Sequence, residues 1–250
     1  MSSLALITGG HRRLGGAIAA GLARAGYALA IHGSHDAKPD PDLARSLAES
    51  GVEWKGFVAD FVDLDSAGEL VADVSAAFGR APDLLVNSAS MFGQDRLENV
   101  QADDLMRHYA VNCVAPVLLT KAFASVPAGM LDRSIVNILD QRIVHPHGDQ
   151  LAYTLSKQAL AGFTQTMARQ LAPTIRVNAV APGLTIRTDD YDDALMARLI
   201  GEMPLHCLSA PQDIADAVLY LARAQSVTGQ TIFVDGGAHL KSFPRDFMHL

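Results

Sequence analysis

Apolar runs of strand length alternate with longer segments of helical period, and the alternation continues from one end of the chain to the other. Strand, helix, strand is the unit of a parallel sheet covered by helices. Leu4 to Thr8 reads as the first strand, and Leu14, Ile18 and Leu22 then stripe a helix that stops at Gly26. Further strands are expected at Ala28–His32, Glu53–Val58, Leu84–Asn87, Ser134–Leu139, Ile175–Ala181 and Thr231–Val234. Between them, helices are expected at Leu43–Ala48, Ser66–Phe78, Asp103–Ala124, Leu151–Leu171 and Pro211–Ala222. With 250 residues, 49% of them hydrophobic, and no linker or repeat, one α/β domain spanning 1–250 is expected: a doubly wound parallel sheet of about seven strands with helices on both faces.

Two stretches resist the pattern, 140–150 and 183–193, and both are candidate active-site loops because ligands bind beyond the carboxyl ends of such strands. The formal net charge of −7 disfavours nucleic acid as a partner, although Arg12 and Arg13 together suit one small phosphorylated ligand. Cys113 and Cys207 are far apart and form no CxxC pair, which fits a reducing cytoplasm. The N-terminal MSSLALITGG lacks the basic flank and long apolar core of a cleaved signal. The apolar stretch Val111–Val126 is interrupted by Asn112 and Lys121 and is too short to span a bilayer, so no membrane segment is expected.

Directly after the first strand comes Thr8-Gly9-Gly10-His11-Arg12-Arg13-Leu14-Gly15, a glycine-bearing turn opening into a helix. Glycines let the backbone approach a pyrophosphate, and the N–H groups of the helix start face its charge. Taken alone, the glycines would equally make a tight turn. A P-loop is excluded because Gly15-Gly16-Ala17 stands where Gly, Lys and Ser or Thr would be needed. After the second strand, where NAD-specific enzymes place a carboxylate, the sequence reads His32-Gly33-Ser34-His35, with Asp36 the nearest acid. With Arg12 and Arg13 ready to pair a 2′-phosphate, NADP is favoured over NAD.

Tyr153 and Lys157 fall four apart near the start of an expected helix, which puts phenol and ammonium on one face. A free phenol ionises near pH ~10, and a neighbouring cation would lower that value. The spacing alone is common on ordinary helices.

Read together, these elements resemble the short-chain dehydrogenase/reductase family across nearly the whole chain: the TGGHRRLG loop, Asp60, Asn87-Ser88-Ala89, Asn112, Tyr153 with Lys157, and Pro182-Gly183, in order. The resemblance implies a Rossmann fold and hydride transfer from NADPH. Tyr153 would move the proton, Lys157 would lower its pKa and hold the nicotinamide ribose, and Asn112 would anchor a water chain. The cofactor would contact Gly9, His11, Arg12, Arg13, Leu14, His32, Ser34 and His35, with Asp60 and Phe61 by the adenine. Asn87, Ser88, Ala89 and Ser90 would line it, and Pro182, Gly183, Leu184 and Thr185 would lie beside the nicotinamide. In related enzymes the helices bearing Asn112 and Tyr153 form dimer faces within tetramers, which implies a homotetramer or homodimer.

One departure is informative. Most of the family carries a serine thirteen residues before the tyrosine, but Asp140 stands here. A carboxylate cannot donate a hydrogen bond unless protonated, and it repels a developing alkoxide, so plain ketone reduction is disfavoured. An aspartate sharing a proton with Tyr153 suits a heterocycle whose ring nitrogen is protonated as the adjacent carbon gains hydride. The sequence is similar in this to the pteridine reductases, a branch it also resembles in Arg12-Arg13-Leu14-Gly15, in Phe92, and in Pro182-Gly183-Leu184 followed by Asp189-Asp190. That resemblance implies a pterin-like substrate, or a folate, stacked on Phe92 beside Ser90, Asp140 and Tyr153. The bland readings are that Phe92 packs a lid and that Asp140 caps a strand end.

His145, His147 and Asp149 lack a second ligand pair at metal-site spacing, so no metal is expected. The tail from Gly236, carrying Phe243, Phe247 and Met248, is too apolar to stay in water and packs either on a neighbouring subunit or over its own site. The competing readings are a reductase of another carbonyl or imine and, from a different class, a non-catalytic NADPH sensor.

Overall fold

The computed structural model describes residues 2–126, 132–187 and 191–250, so Asp189 and Asp190 lie outside the described residues. Seven strands, β1 (Leu4–Ile7), β2 (Ala28–Gly33), β3 (Trp54–Val58), β4 (Leu84–Asn87), β5 (Arg133–Ile138), β6 (Ile175–Pro182) and β7 (Thr231–Val234), form one sheet in the order β3-β2-β1-β4-β5-β6-β7. Every neighbouring pair is parallel. The order reverses between β1 and β4, and there the loops leaving the two strands diverge and open a crevice.

Among the described residues eight α-helices cover the sheet: α1 (Arg13–Arg24), α2 (Pro41–Ser50), α3 (Leu64–Phe78), α4 (Ala102–Tyr109), α5 (Ala115–Ser125), α6 (Leu151–Gln170), α7 (Asp193–Glu202) and α8 (Pro211–Arg223). The period of two along β1 divides the core. Ala5 and Ile7 pack with Ile18 and Leu22 of α1 and Val218 and Leu221 of α8, whereas Leu4 and Leu6 pack with Val71 of α3 and Leu119 and Phe123 of α5. All these strand positions are fully buried, so truncating one, as in Leu6→Ala, costs about 2–5 kcal/mol.

Two elements depart from the expectation. The long helix expected at Asp103–Ala124 is broken into α4 and α5 by a π turn at Ala110–Val114, in which the Ala115 N–H reaches Ala110 O. Pro116 explains it: it has no N–H for the carbonyl four residues back, so the ladder shifts to wider rings across Asn112. Helix α7 was not expected at all. Its signals were present in the sequence, an N-cap at Asp192, whose carboxylate accepts from Leu195 N at 2.7 Å, and an apolar stripe of Leu195, Met196 and Leu199.

The helix bearing Tyr153 begins at an unusual cap. Gln150 sits in the left-handed region at φ 50° and caps nothing, and Asp95, from the loop after β4, does the work instead. Its backbone carbonyl accepts from Leu151 N at 3.3 Å and its Oδ2 from Ala152 N at 2.8 Å. The orphan amides of α6 are thereby satisfied from a segment 57 residues upstream, which fixes the helix start over the end of β5. Asp95→Ala is expected to lower unfolding stability by about 1–2 kcal/mol; a urea midpoint equal to that of the parent protein would show that α6 needs no such cap.

Among the described residues no helix is long and apolar enough to cross a membrane.

Candidate active site

The carboxyl ends of the strands open on a cleft of about 890 Å³ lined from every sector predicted to matter: the loops after β1, β2, β3, β4, β5 and β6, the start of α6, and the C-terminal tail. Its left wall is the glycine turn. Gly9 lies at φ +62°, and a Cβ on Gly15 would sit 2.1 Å from Gly9 O, so the first turn of α1 presses on the loop at a distance only glycine allows. Arg12 and Arg13 are exposed and line the cleft; Arg13 sits at φ 53°, a conformation uncommon for a residue with a side chain and concentrated at functional sites. Asp40 steadies the loop from the far side, accepting from Arg13 N at 3.3 Å and donating its own N–H to His11 O.

The end of β2 has a steric reason for lacking a carboxylate. A Cβ on Gly33 would stand 1.9 Å from Asp36 O, because the chain folds straight back there. Asp36 itself is turned to its own loop, accepting from Lys38 N at 3.0 Å, and it does not line the cleft. Ser34 and His35 do.

His32 is a brace behind this wall. Its Nδ1 accepts from Gly9 N at 3.1 Å and its Nε2 faces Ala59 O at 2.8 Å, so these partners assign the proton to Nε2 and the ring is neutral. The ring stacks on Phe61 at 4.3 Å, and both are buried. Burial lowers its pKa to about 4, with the Ala59 carbonyl opposing and His11 adding to the fall.

The chemistry-bearing groups meet at the end of β5. Tyr153 Oη donates to Asp140 Oδ2 at 2.9 Å, and Asp140 Oδ1 accepts from Arg142 N at 2.9 Å and Arg142 Nε at 3.2 Å. Asp140 therefore does cap the short 3-10 turn at Gln141–Ile143, as the bland reading held, and with its other oxygen it also holds the phenol. Lys157, four residues along the same helix face, donates to Ile138 O at 2.8 Å, and its ammonium stands 5.6 Å from the centre of the Tyr153 ring. Burial drops its pKa to about 8, against the pull of Asp140. Phe92 meets the Tyr153 ring edge-on at 4.9 Å and keeps 49% of its surface exposed.

The expectation that lysine acidifies the phenol is corrected by this geometry. Burial and the charge of Asp140 raise the Tyr153 pKa well above its ordinary value, and the cation that opposes them is Arg142, whose guanidinium lies 5.2 Å from the ring centre. Arg142 was missed from sequence because a buried arginine four residues after a strand end has no spacing that marks it. Its charge is secured. Burial pulls its pKa down, but Asp140, Tyr153 and Asp246 outweigh that and hold it above its ordinary value.

The tail closes the remaining side. Asp246 Oδ2 accepts from Arg142 Nη2 at 2.7 Å, Asp246 N donates to Asp149 Oδ2 at 2.9 Å, and Phe247 and Met248 line the cleft. Phe247 also packs with Tyr191, Leu199 and Met203, so α7 and the tail form one small apolar body. Of the two fates expected for the tail, packing over its own site is the one described.

Comparison with known proteins agrees with this construction. A family model described as enoyl-(acyl carrier protein) reductase matches residues 10–239. The chain belongs to the short-chain dehydrogenase/reductase family. It is 31% identical over 255 residues, 96% of this chain and all of the relative, to the 3-oxoacyl-[acyl-carrier-protein] reductase FabG of Staphylococcus epidermidis. Among solved structures it is similar to FolM alternative dihydrofolate reductase 1 from Brucella suis in complex with NADP, at 34% identity, a TM-score of 0.86 and 96% coverage of both chains. The FolM counterpart from Brucella canis, also complexed with NADP, is 35% identical with a TM-score of 0.85, covering 96% of this chain and 95% of that one.

In this short-chain dehydrogenase/reductase, most residues singled out from sequence line the cleft, and two do not. Asn87 is buried behind it, donating from Nδ2 to Asn137 Oδ1 at 2.8 Å. Asn112 is buried in the π turn, where Oδ1 accepts from Met91 N at 2.7 Å and Nδ2 donates to Met91 O at 2.9 Å and Ser156 Oγ at 3.0 Å. Its amide is thus a brace between the β4 loop and α6. His32 and Phe61 reach the cleft wall but spend their rings on each other.

Because His32 binds a proton more weakly folded than unfolded, its contribution to stability is whole above about pH 6.5 and is lost as pH falls from there through about 4. The loss totals about 3 kcal/mol. Urea midpoints of the parent and of His32→Asn are expected to converge as pH drops from 7 to 4.5, and equal acid sensitivity in the two proteins would remove the histidine from that account.

Proposed function

We propose that this protein is an NADPH-dependent reductase of pterins, taking dihydropterins to tetrahydropterins and accepting dihydrofolate or oxidised pterins as related substrates. The observation that carries the reading is the 2.9 Å bond from Tyr153 Oη to Asp140 Oδ2 at the cleft, in the place where the family pattern has a serine. The NADP named in the two FolM structures and their description as alternative dihydrofolate reductases support it.

The cleft fits the cofactor. The glycine turn leaves a backbone cradle that a Cβ at Gly15 would fill, Arg12 and Arg13 stand free at its rim, and the crowding of Gly33 against Asp36 O bars the carboxylate that would repel a 2′-phosphate. Gly9, His11, Arg12, Arg13 and Leu14 would hold the phosphates, with Ser34 and His35 beside the 2′-phosphate and Asp60 by the adenine. Ser88, Ala89, Ser90 and Lys157 would line the ribose side, and Pro182 to Thr185 the nicotinamide side. When bound, NADPH supplies hydride to a carbon of the pterin ring.

The chain's own residues supply the proton. Tyr153 holds its proton too tightly to act alone, since burial and Asp140 both oppose the phenolate. A relay resolves this: Tyr153 gives its proton to the ring nitrogen next to the reduced carbon and is resupplied from solvent by way of the Asp140 carboxyl group. No phenolate accumulates in that relay. Phe92, half-exposed beside Tyr153, offers an aromatic face to a flat ring. A carbonyl substrate such as that of the staphylococcal relative would instead develop an alkoxide against Asp140, which is unfavourable. Assembly into a homotetramer or homodimer and a cytoplasmic setting belong to the same reading.

Purified protein is expected to oxidise NADPH with 7,8-dihydropterins at neutral pH. Asp140→Ser and Tyr153→Phe should each lower kcat at least ~100-fold while NADPH still binds. Turnover of a 3-oxoacyl thioester with none of dihydropterin would sink the assignment, and full pterin turnover in Asp140→Ser would remove the carboxyl from the chemistry.

A further inference from the structure

Asp140 and Asp246 compete for one guanidinium. Arg142 spends all three of its nitrogens, Nε on Asp140 Oδ1 at 3.2 Å, Nη1 on Gln150 Oε1 at 2.8 Å and Nη2 on Asp246 Oδ2 at 2.7 Å. Arg142 and Asp246 are almost wholly buried, while the Asp140 side chain keeps a fifth of its surface and faces the cleft. The shorter, better-buried bond goes to the tail. Two carboxylates around one guanidinium leave an excess negative charge in a poorly solvated place, and the cleft-facing member is the one within reach of solvent and bonded to Tyr153.

We propose that Asp246 is a positioning residue for proton transfer: by taking the shorter of the two carboxylate bonds of the Arg142 guanidinium, the tail carboxylate leaves Asp140 able to exchange a proton with Tyr153. This rests on the reading of Asp140 and Tyr153 as the proton relay. Without Asp246, Arg142 would serve Asp140 alone, fix it as a carboxylate and interrupt the supply to Tyr153.

The charged groups around Asp140 are few and all bear on the sign. From its own turn comes Arg142, from α6 Tyr153 and Lys157, and from the tail Asp246. His147, whose Nε2 stands 4.0 Å from Asp246 Oδ2, is held neutral chiefly by burial and by Arg142. Asp149 is farther out, paired with Arg96 at 2.8 Å and Arg245 at 3.5 Å, so it docks the tail without touching Arg142. Removing the charge of Asp246 subtracts a negative neighbour and frees a positive one. Both changes favour the Asp140 carboxylate.

The test compares Asp246→Asn, Asp246→Glu and Arg142→Gln in two measurements. The first follows the carboxyl infrared band of the protein without substrate, assigned by its loss in Asp140→Asn. In Asp246→Asn this group should take up its proton about one pH unit lower than in the parent, in Arg142→Gln it should do so at higher pH, and Asp246→Glu should restore the parent behaviour. The second is the pH profile of kcat, whose alkaline limb should move the same way, giving about a tenfold loss at the parent midpoint for Asp246→Asn. An unmoved band in Asp246→Asn, or shifts of one sign in Asp246→Asn and Arg142→Gln, would overturn the proposal and leave the tail a mechanical clasp. Because the band is read without substrate, it stands even if dihydropterins are not turned over. If one substitution prevents folding, the opposite sign predicted for the other still decides.

Discussion

The active centre is organised by the division of labour between the two oxygens of Asp140. One oxygen caps the turn after β5 and meets Arg142, and the other receives the phenol of Tyr153. A single carboxyl group therefore registers three elements against one another, the end of β5, the start of α6 and, through Arg142, the C-terminal tail. A serine at this position would hold the phenol but could not anchor a guanidinium, and the tail would lose its attachment to the chemistry.

The cofactor side of the cleft was legible in the sequence because its signals are local. Gly9, Gly10 and Gly15 fall within one turn, and each answers to a backbone approach that a Cβ would block. The parallel sheet was legible for a related reason: the strands buried along their length, such as β1, β2 and β4, read as continuous apolar runs, and every strand end was placed to within one residue. Tyr153, Lys157 and Asp140 could be picked out because their spacing along one helix and one strand end is short enough to carry a pattern.

What the sequence hid depends on contacts between distant segments. Arg142 and Asp246 are separated by 104 positions, and nothing near either residue announces the other. The direction of the Tyr153 shift was hidden for a different reason. Spacing places Lys157 on the right face, but the depth of burial decides how strongly a charge is felt, and burial together with Asp140 outweighs the cations nearby. The amide of Asn112, which lies in the π turn before Pro116, is spent on Met91 and Ser156, partners 21 and 44 positions away that no local pattern announces.

The imidazole of His32 has a wider consequence for how the cleft comes into being. By joining Gly9 to Ala59 across β2, it ties the ends of three adjacent strands, all from the first quarter of the chain, into one preset block. The opposite wall joins its local bonds from Asp140 to Arg142 and Tyr153 with one to a residue at the far end of the polypeptide. One side of the cleft is thus held by contacts within the first 59 residues, and the other by a bond that spans 104 positions.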